Sequence, residues 1–229
     1  MSVYAVSDMH GNLKAWKKIK EFVKPEDKIY VLGDCGDRGP DPWTTIKEVL
    51  TDPQVVYIKG NHDDMLVKAA REAMDGSYGS EKQRLLAHNG GYNTLNELLY
   101  EDRPEIWISM LAKLPTHTTY INENGKEIFL CHAGCSFYKD EEKTIPKSYD
   151  LMWDRLHYFD NASLLSDIVV VHGHTWINYI KEDLNIENTE NEFLFYTNNK
   201  KICIDLGTCH TGKAGILNLD TFDAVYFNI

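Results

Sequence analysis

Five short apolar runs in this 229-residue chain each stop at a cluster of Asp, Asn, His and Gly. Val3-Tyr4-Ala5-Val6 ends at Ser7-Asp8-Met9-His10-Gly11, and Ile29-Tyr30-Val31-Leu32 ends at Gly33-Asp34. Val55-Val56-Tyr57-Ile58 ends at Gly60-Asn61-His62-Asp63, Glu127 to Leu130 leads into His132, and Ile168 to Val171 ends at His172-Gly173-His174-Thr175. In open α/β sheets the carboxyl ends of the strands face a common crevice where ligands bind. A strand interior is a natural place for Val and Ile, but polar clusters repeated at strand ends need a chemical reason.

The segments between the first three runs support that frame. Leu13, Trp16, Ile19, Phe22 and Val23 have helical spacing and stop at Pro25, and Pro42 to Leu50 reads as a second helix. The β-α-β-α-β rhythm predicts parallel strands with right-handed crossovers. From about Asp64 to Lys113 the pattern is helical, broken at Asp75–Ser80 and at Asn89-Gly90-Gly91. After Pro115 short strands return. Asn124-Gly125 marks a hairpin between 118–121 and 127–130, and Asn198-Asn199 marks another between 193–197 and 201–205. Two last strands span 215–219 and 224–228.

Charge and cysteine usage exclude several classes. Thirty-five acidic residues against 24 basic ones give a net charge of −11, which disfavours docking on nucleic acid or anionic membrane. A small phosphate ester held at a local cationic site remains compatible. Five cysteines, an odd number, and the lack of a basic leader before an apolar run predict reduced thiols in a cytoplasmic protein. Cys131 and Cys135 flank His132, but a structural zinc needs four ligands and no second pair is suitably spaced.

The polar clusters pool Asp8, His10, Asp34, Asp37, Asn61, His62, His132 and His174. Carboxylate, imidazole and amide donors without thiolate suit manganese, iron or zinc. Several carboxylates in one crevice repel unless cations lie between them, and two ions with a shared carboxylate fit the count. Such a pair lowers the pKa of a trapped water and neutralises phosphate oxygens during in-line attack. Arg38 supplies a planar fork matched to phosphate, and His62 is placed to protonate a departing alkoxide if a carboxylate orients its other nitrogen. Hydrolysis of a phosphoester is the leading reading.

The motifs around Asp8, Gly33-Asp34-Cys35-Gly36-Asp37-Arg38-Gly39, Gly60-Asn61-His62-Asp63, His132-Ala133-Gly134 and Gly173-His174-Thr175 resemble, in order, the signatures of the phosphoprotein phosphatase family of metallophosphoesterases. The likeness is strongest to its small bacterial and phage-type members, and Ile204-Asp205-Leu206-Gly207-Thr208 resembles their tail. It implies one domain over 1–229, a four-layer αββα sandwich of two mixed sheets between helices, and two divalent ions, Mn²⁺ or else Fe or Zn. It also implies roles: Asp8 and His10 for the first metal, Asp34 as bridge, and Asn61, His132 and His174 for the second. His62 becomes the general acid, Asp37 its orienting partner, and Arg38, Asn61 and Arg155 the phosphate contacts.

Two departures stand out: Ser7 replaces the family's usual Gly, and Asp63 stands where protein phosphatases most often carry Glu. Asp there is commoner in enzymes that split diadenosine tetraphosphate symmetrically. Phosphoserine or phosphothreonine of proteins ranks first as substrate, and a dinucleoside polyphosphate or other small nucleotide second. A non-catalytic binding module would lack ligands, and none is missing. Oligomeric state is not legible. His88, His117, His157, His172 and His210 are assigned structural or solvent roles, although strand alternation could bring His172 to the site beside His174. The loop from Phe137 to Tyr149, with Lys139, Lys143 and Lys147, is expected to border the substrate, and 182–192 to be a solvated loop.

Overall fold

The computed structural model describes residues 1–135, 145–159, 168–187 and 190–229. Lys139 and Lys143, and part of the 182–192 loop, lie outside the described residues. The first sheet is built from β1 (Val3–Val6), β2 (Lys28–Val31) and β3 (Val55–Tyr57), joined through α1 (Leu13–Phe22) and α2 (Pro42–Thr51). These three strands are parallel, with Tyr4 opposite Ile29 and Tyr30 opposite Val56, as the rhythm predicts. Asn12 caps α1 by accepting from the Ala15 N–H, and Pro42 opens α2 where a missing N–H costs nothing.

Four helices follow: α3 (Asn61–Met74), α4 (Glu81–His88), α5 (Tyr92–Leu99) and α6 (Pro104–Ala112). The second sheet holds β4 (His117–Ile121), β5 (Glu127–Cys131), β6 (Ile168–His172), β7 (Leu194–Tyr196) and β8 (Lys201–Cys203), in the order β4-β5-β6-β8-β7. Short helices α7 (Ser148–Trp153), α8 (Ile177–Asp183) and α9 (Thr208–Thr211) lie in its connections. Strands β9 (Lys213–Asn218) and β10 (Ala224–Asn228) return to the first sheet, giving β10-β9-β1-β2-β3. Both sheets are mixed, and both expected hairpins form.

Period-two alternation explains the layering. Val3, Ala5, Tyr30 and Leu32 share one buried cluster with Ile128, Leu130, Val169 and Val171, so this cluster lies between the sheets. The intervening Val6, Ile29 and Val31 join Trp16, Ile46, Leu66 and Leu98 beneath the helices. On the second sheet, Phe129, Cys131, Ile168 and Val170 turn the other way, toward Leu151 of α7. Strands buried on both faces read as continuous apolar runs, which is how they appear in the sequence. The result is helices, sheet, sheet, helix, with the strand ends of both sheets meeting at one edge. No helix among the described residues is long and apolar enough to cross a membrane.

Candidate metal centre

Asp8 and His10 follow β1, Asp34, Asp37 and Arg38 follow β2, and Asn61 and His62 open α3 after β3. From the second sheet, His132 follows β5 and His174 follows β6. The backbone there is strained: Asp8, His10, Asp34, Asp37, Arg38 and His174 all have φ between 43° and 67°. Non-glycine residues rarely adopt this left-handed region, and strain of this kind collects at functional sites. Turns this sharp bring the loops close. A Cβ on Gly60 would lie 2.1 Å from Oδ1 of Asp34, so only glycine lets the β3–α3 turn pass that carboxylate.

Asp34 is the hub. Its Oδ1 accepts the His62 backbone N–H (3.0 Å) at the start of α3, where helix N–H groups favour an anion. Its Oδ2 lies 3.3 Å from Nε2 of His132, 3.9 Å from Nε2 of His10 and 4.0 Å from Nε2 of His62. Asp34 is shared by two groups of converging donors, His10–Asp34–His62 and Asp34–His132–His174. Asp8 stands 3.9 Å from His10, its Oδ2 held by the Ser7 hydroxyl and the His174 N–H. The Cys131–His132–Cys135 idea fails here, because His132 faces Asp34 while both cysteines pack beneath the second sheet.

Hydrogen bonds on the far side of each ring fix the tautomers. His10 Nδ1–H donates to the Gly36 carbonyl (3.1 Å), and His132 Nδ1–H donates to the Leu32 carbonyl (2.6 Å). Each Nε2 therefore presents a lone pair inward. His132 Nε2 meets two further acceptors, Oδ1 of Asn61 at 2.9 Å and Oδ2 of Asp34 at 3.3 Å. His174 Nδ1 lies 3.0 Å from the same Asn61 oxygen, while its Nε2 and Oδ1 of Asp8 are buried without partners. Acceptors converging in this way are what a cation relieves, a proton on His132 or a metal ion in its place, so these residues fit divalent ions with N and O ligands.

The electrostatics agree. Burial pushes the Asp8 carboxyl up to about 6, with the Asp34 charge adding to it. Burial opposes the Asp34 charge too, yet the His132 and His62 rings hold its carboxyl well below the usual range. Conversely, burial disfavours the His132 cation, but Asp34 drives that ring up to about 10. His10 and His174 are pushed well below the usual imidazole value, chiefly by burial. Burial and the Asp8 charge push Asp205 well above the carboxylate range.

The other residues singled out in the sequence lie around this cluster. His62 Nδ1 pairs with Oδ2 of Asp37 (2.6 Å), and Asp37 is itself anchored by the Thr94 hydroxyl. Arg38, however, donates to Nε2 of His10 and of His62, both at 3.0 Å, and its Nε donates to the Asn89 carbonyl. A cation on His10 and this hydrogen bond compete for one lone pair. Asn89-Gly90-Gly91, the break in the helical pattern, flanks the site. Arg155 lies further out, with Trp153 and Tyr158, on the wall of a cleft of about 570 Å³ that opens from the cluster.

His172 does not reach the site. β6 ends at His172 and His174 takes a left-handed φ of 67°, so period-two alternation no longer relates the two. His172 is fully buried beneath, bonded to Tyr196. Sequence reasoning missed Asp205, Trp176, Tyr179 and His210, which also line the cleft. Asp205 had a usable signal, since it follows β8 as the other clusters follow their strands.

A family model for calcineurin-like phosphoesterases matches residues 1–204. A symmetrical bis(5'-nucleosyl)-tetraphosphatase of Nitrosospira multiformis is 30% identical over 91 residues, covering 38% of this chain and 33% of that protein. One of Buchnera aphidicola is 24% identical over 189 residues, covering 81% of this chain and 61% of that protein. The match thus spans less than two thirds of the length of these relatives. A protein serine/threonine phosphatase of Saccharomyces cerevisiae superposes with a TM-score of 0.58 at 12% identity, over 99% of this chain and 79% of that one, a likeness of fold alone. With the fold, the ordered motifs and the converging donors in agreement, the chain belongs to the calcineurin-like phosphoesterase family.

Proposed function

We propose that this protein is a metal-dependent phosphoesterase whose substrate is a small nucleotide, foremost a dinucleoside polyphosphate cleaved symmetrically. The order of substrates from the sequence, phosphoprotein first, is reversed on one structural observation. The cleft that opens from the buried cluster is walled by Trp153, Tyr158, Trp176 and Tyr179. Aromatic faces of this kind stack nucleobases, whereas a phosphoserine side chain offers them nothing flat. The volume of about 570 Å³ is that of a small-molecule site. The curated relatives named above are nucleotide hydrolases, which supports the same order.

In this reading Asp8, His10 and Asp34 hold one divalent cation, and Asp34, Asn61, His132 and His174 hold the other. Once bound, the ions activate water and neutralise phosphate charge. The donor set, N and O without thiolate, is compatible with Mn²⁺, Fe or Zn. Asp37 holds His62 through Nδ1, and once Arg38 leaves Nε2 the doubly protonated ring would deliver its Nε2 proton to the leaving oxygen. Arg38, released from His10, turns its fork to the phosphate, and Arg155 meets it from the outer wall.

The deciding measurement compares turnover of diadenosine tetraphosphate, p-nitrophenyl phosphate and a phosphoserine peptide with added Mn²⁺. The dinucleotide should give the highest kcat/KM and yield ADP alone. A higher value for the peptide would return the protein-phosphatase reading to first place.

A further inference from the structure

We propose that His157 is a positioning residue for Arg155, a clamp that sets the outer phosphate contact against the second sheet. The proposal rests on the phosphoesterase reading above, in which Arg155 meets phosphate, but not on the substrate being a nucleotide.

Arg155 sits in a stretch with little of its own to hold it. The described residues 154–159 follow the six-residue helix α7, and the backbone bonds within them are local, from Leu156 N–H to Asp154 and from Phe159 N–H to Leu156. Leu156 is 71% exposed, whereas His157, two residues from the arginine, is 1% exposed. Its ring is driven into the layer beneath the metal-binding loops. Gly134, in the turn after His132, has φ +85°, and a Cβ there would come within 2.4 Å of the His157 Nε2. The His172 ring lies against it at 4.5 Å between centroids, almost perpendicular.

Three polar atoms close this contact. Tyr196 Oη is 2.7 Å from Nε2 of His172 and 3.2 Å from Nε2 of His157, and the two imidazole nitrogens are 3.3 Å apart. Their protons can be ordered. His172 Nδ1 faces the Gly173 carbonyl at 3.0 Å, which only accepts, so Nδ1 carries the proton and Nε2 is bare. The Tyr196 hydroxyl then donates to His172, and His157 Nε2–H donates to the Tyr196 oxygen. His157 Nδ1 is buried and makes no close hydrogen bond, with the Asp154 carbonyl acting on the ring from that side. From the backbone side, the Lys201 ammonium donates to the His157 carbonyl. The next residue, Tyr158, donates to Oδ2 of Asp183 at 2.5 Å. His157 is therefore gripped from β6, β7, β8 and the turn after β5, while His132 and His174 follow β5 and β6 and bond to Leu32 and Asn61 rather than to His157. Loosening His157 should release Arg155 and leave the metal ligands in place.

The test pairs His157→Ala and His157→Gln with Arg155→Ala, using p-nitrophenyl phosphate turnover, inhibition by inorganic phosphate and Mn²⁺ binding by calorimetry. His157→Ala should raise KM and the phosphate inhibition constant roughly ten-fold, with kcat within about two-fold, since misplacing a contact by an ångström has effects of this order or larger. Mn²⁺ affinity should not change. His157→Gln, whose amide can still donate to Tyr196, should recover most of the loss. In the Arg155→Ala background His157→Ala should add nothing, because contacts that act as one are non-additive. An equal factor in both backgrounds, or a lower Tm with KM unchanged, overturns the proposal. Should His157→Ala not fold, Tyr196→Phe breaks the same relay, and an unchanged KM in that variant also overturns it. Wild-type protein that hydrolyses p-nitrophenyl phosphate but no dinucleotide removes the nucleotide reading and leaves this test intact. Wild-type protein that hydrolyses neither removes the phosphoesterase reading, and calorimetric phosphate binding by the same variants then decides the clamp.

Discussion

The two sheets contribute to the cleft in different ways. Loops after β1, β2 and β3 deliver Asp8, His10, Asp34, Asp37, Arg38, Asn61 and His62 from within 55 consecutive residues, 8–62, all buried or packed together in strained turns. The second sheet's side delivers His132 and His174 at its strand ends, then Arg155, Trp153, Trp176 and Tyr179 along an outer wall assembled from distant segments. The first half is short-range, charged and dry, the second long-range, aromatic and partly open. Such a division separates the chemistry, common to any phosphoester, from the recognition that selects one.

The variants that probe this division span a wide range of effects. Asp34→Asn, at the hub of both donor groups, should abolish turnover of every substrate. It should also weaken metal binding by more than the roughly 100-fold that loss of an outer hydrogen-bond partner costs. Normal metal content and rate in that protein would erase the distinction at its root. His62→Asn comes next, with a loss on the order of 10²–10³-fold for alkyl phosphates. The loss should be much smaller for p-nitrophenyl phosphate and diadenosine tetraphosphate, whose leaving groups need little protonation. Equal losses across the three would take the proton-donor role from His62.

Trp176→Ala should act on the other half alone, raising KM for diadenosine tetraphosphate by roughly ten-fold, within the about 1–3 kcal/mol of a base stacked on an aromatic ring. The rate with p-nitrophenyl phosphate should stay as it is, and a parallel drop with both substrates would show that the wall serves the chemistry. The smallest effect is expected for Ser7→Ala. It removes one donor to Oδ2 of Asp8, but the His174 N–H at 3.0 Å still holds that oxygen. Mn²⁺ affinity measured by calorimetry should fall by no more than about ten-fold, and a larger fall would mean that the family's usual glycine and this serine are not interchangeable.

The same contrast decides what could be read without coordinates. The layered fold and the first half of the site were legible because each strand, turn and ligand cluster is continuous in sequence. Asp8 to Asp63 required only the rule that polar groups gather where strands end. His132 and His174 followed from the same rule at the ends of the fourth and fifth runs. The aromatic wall was not legible, because Trp153, Trp176 and Tyr179 meet only through the pairing of β5, β6 and β8. A tryptophan in a helix pattern carries no mark that distinguishes core from cleft. His172 and His157 were given structural places, and both are buried beneath the cluster. Alternation predicts facing only while the strand lasts, and β6 stops at His172, so His174, with its left-handed φ, lies outside the pattern that would have brought His172 to the site.

The left-handed backbone of the six loop residues bears on any attempt to make this protein hardier. Each such residue costs of order 1–3 kcal/mol, and glycine at these positions would relax the main chain. That relaxation is closed at Asp8, His10, Asp34, Asp37, Arg38 and His174, the side chains an engineer can least surrender, but open at Thr197 and Phe222, which share the same backbone outside the site. A heat-resistant version must find its improvement elsewhere, in the helical layer or the exposed rims, and leave those taut corners alone.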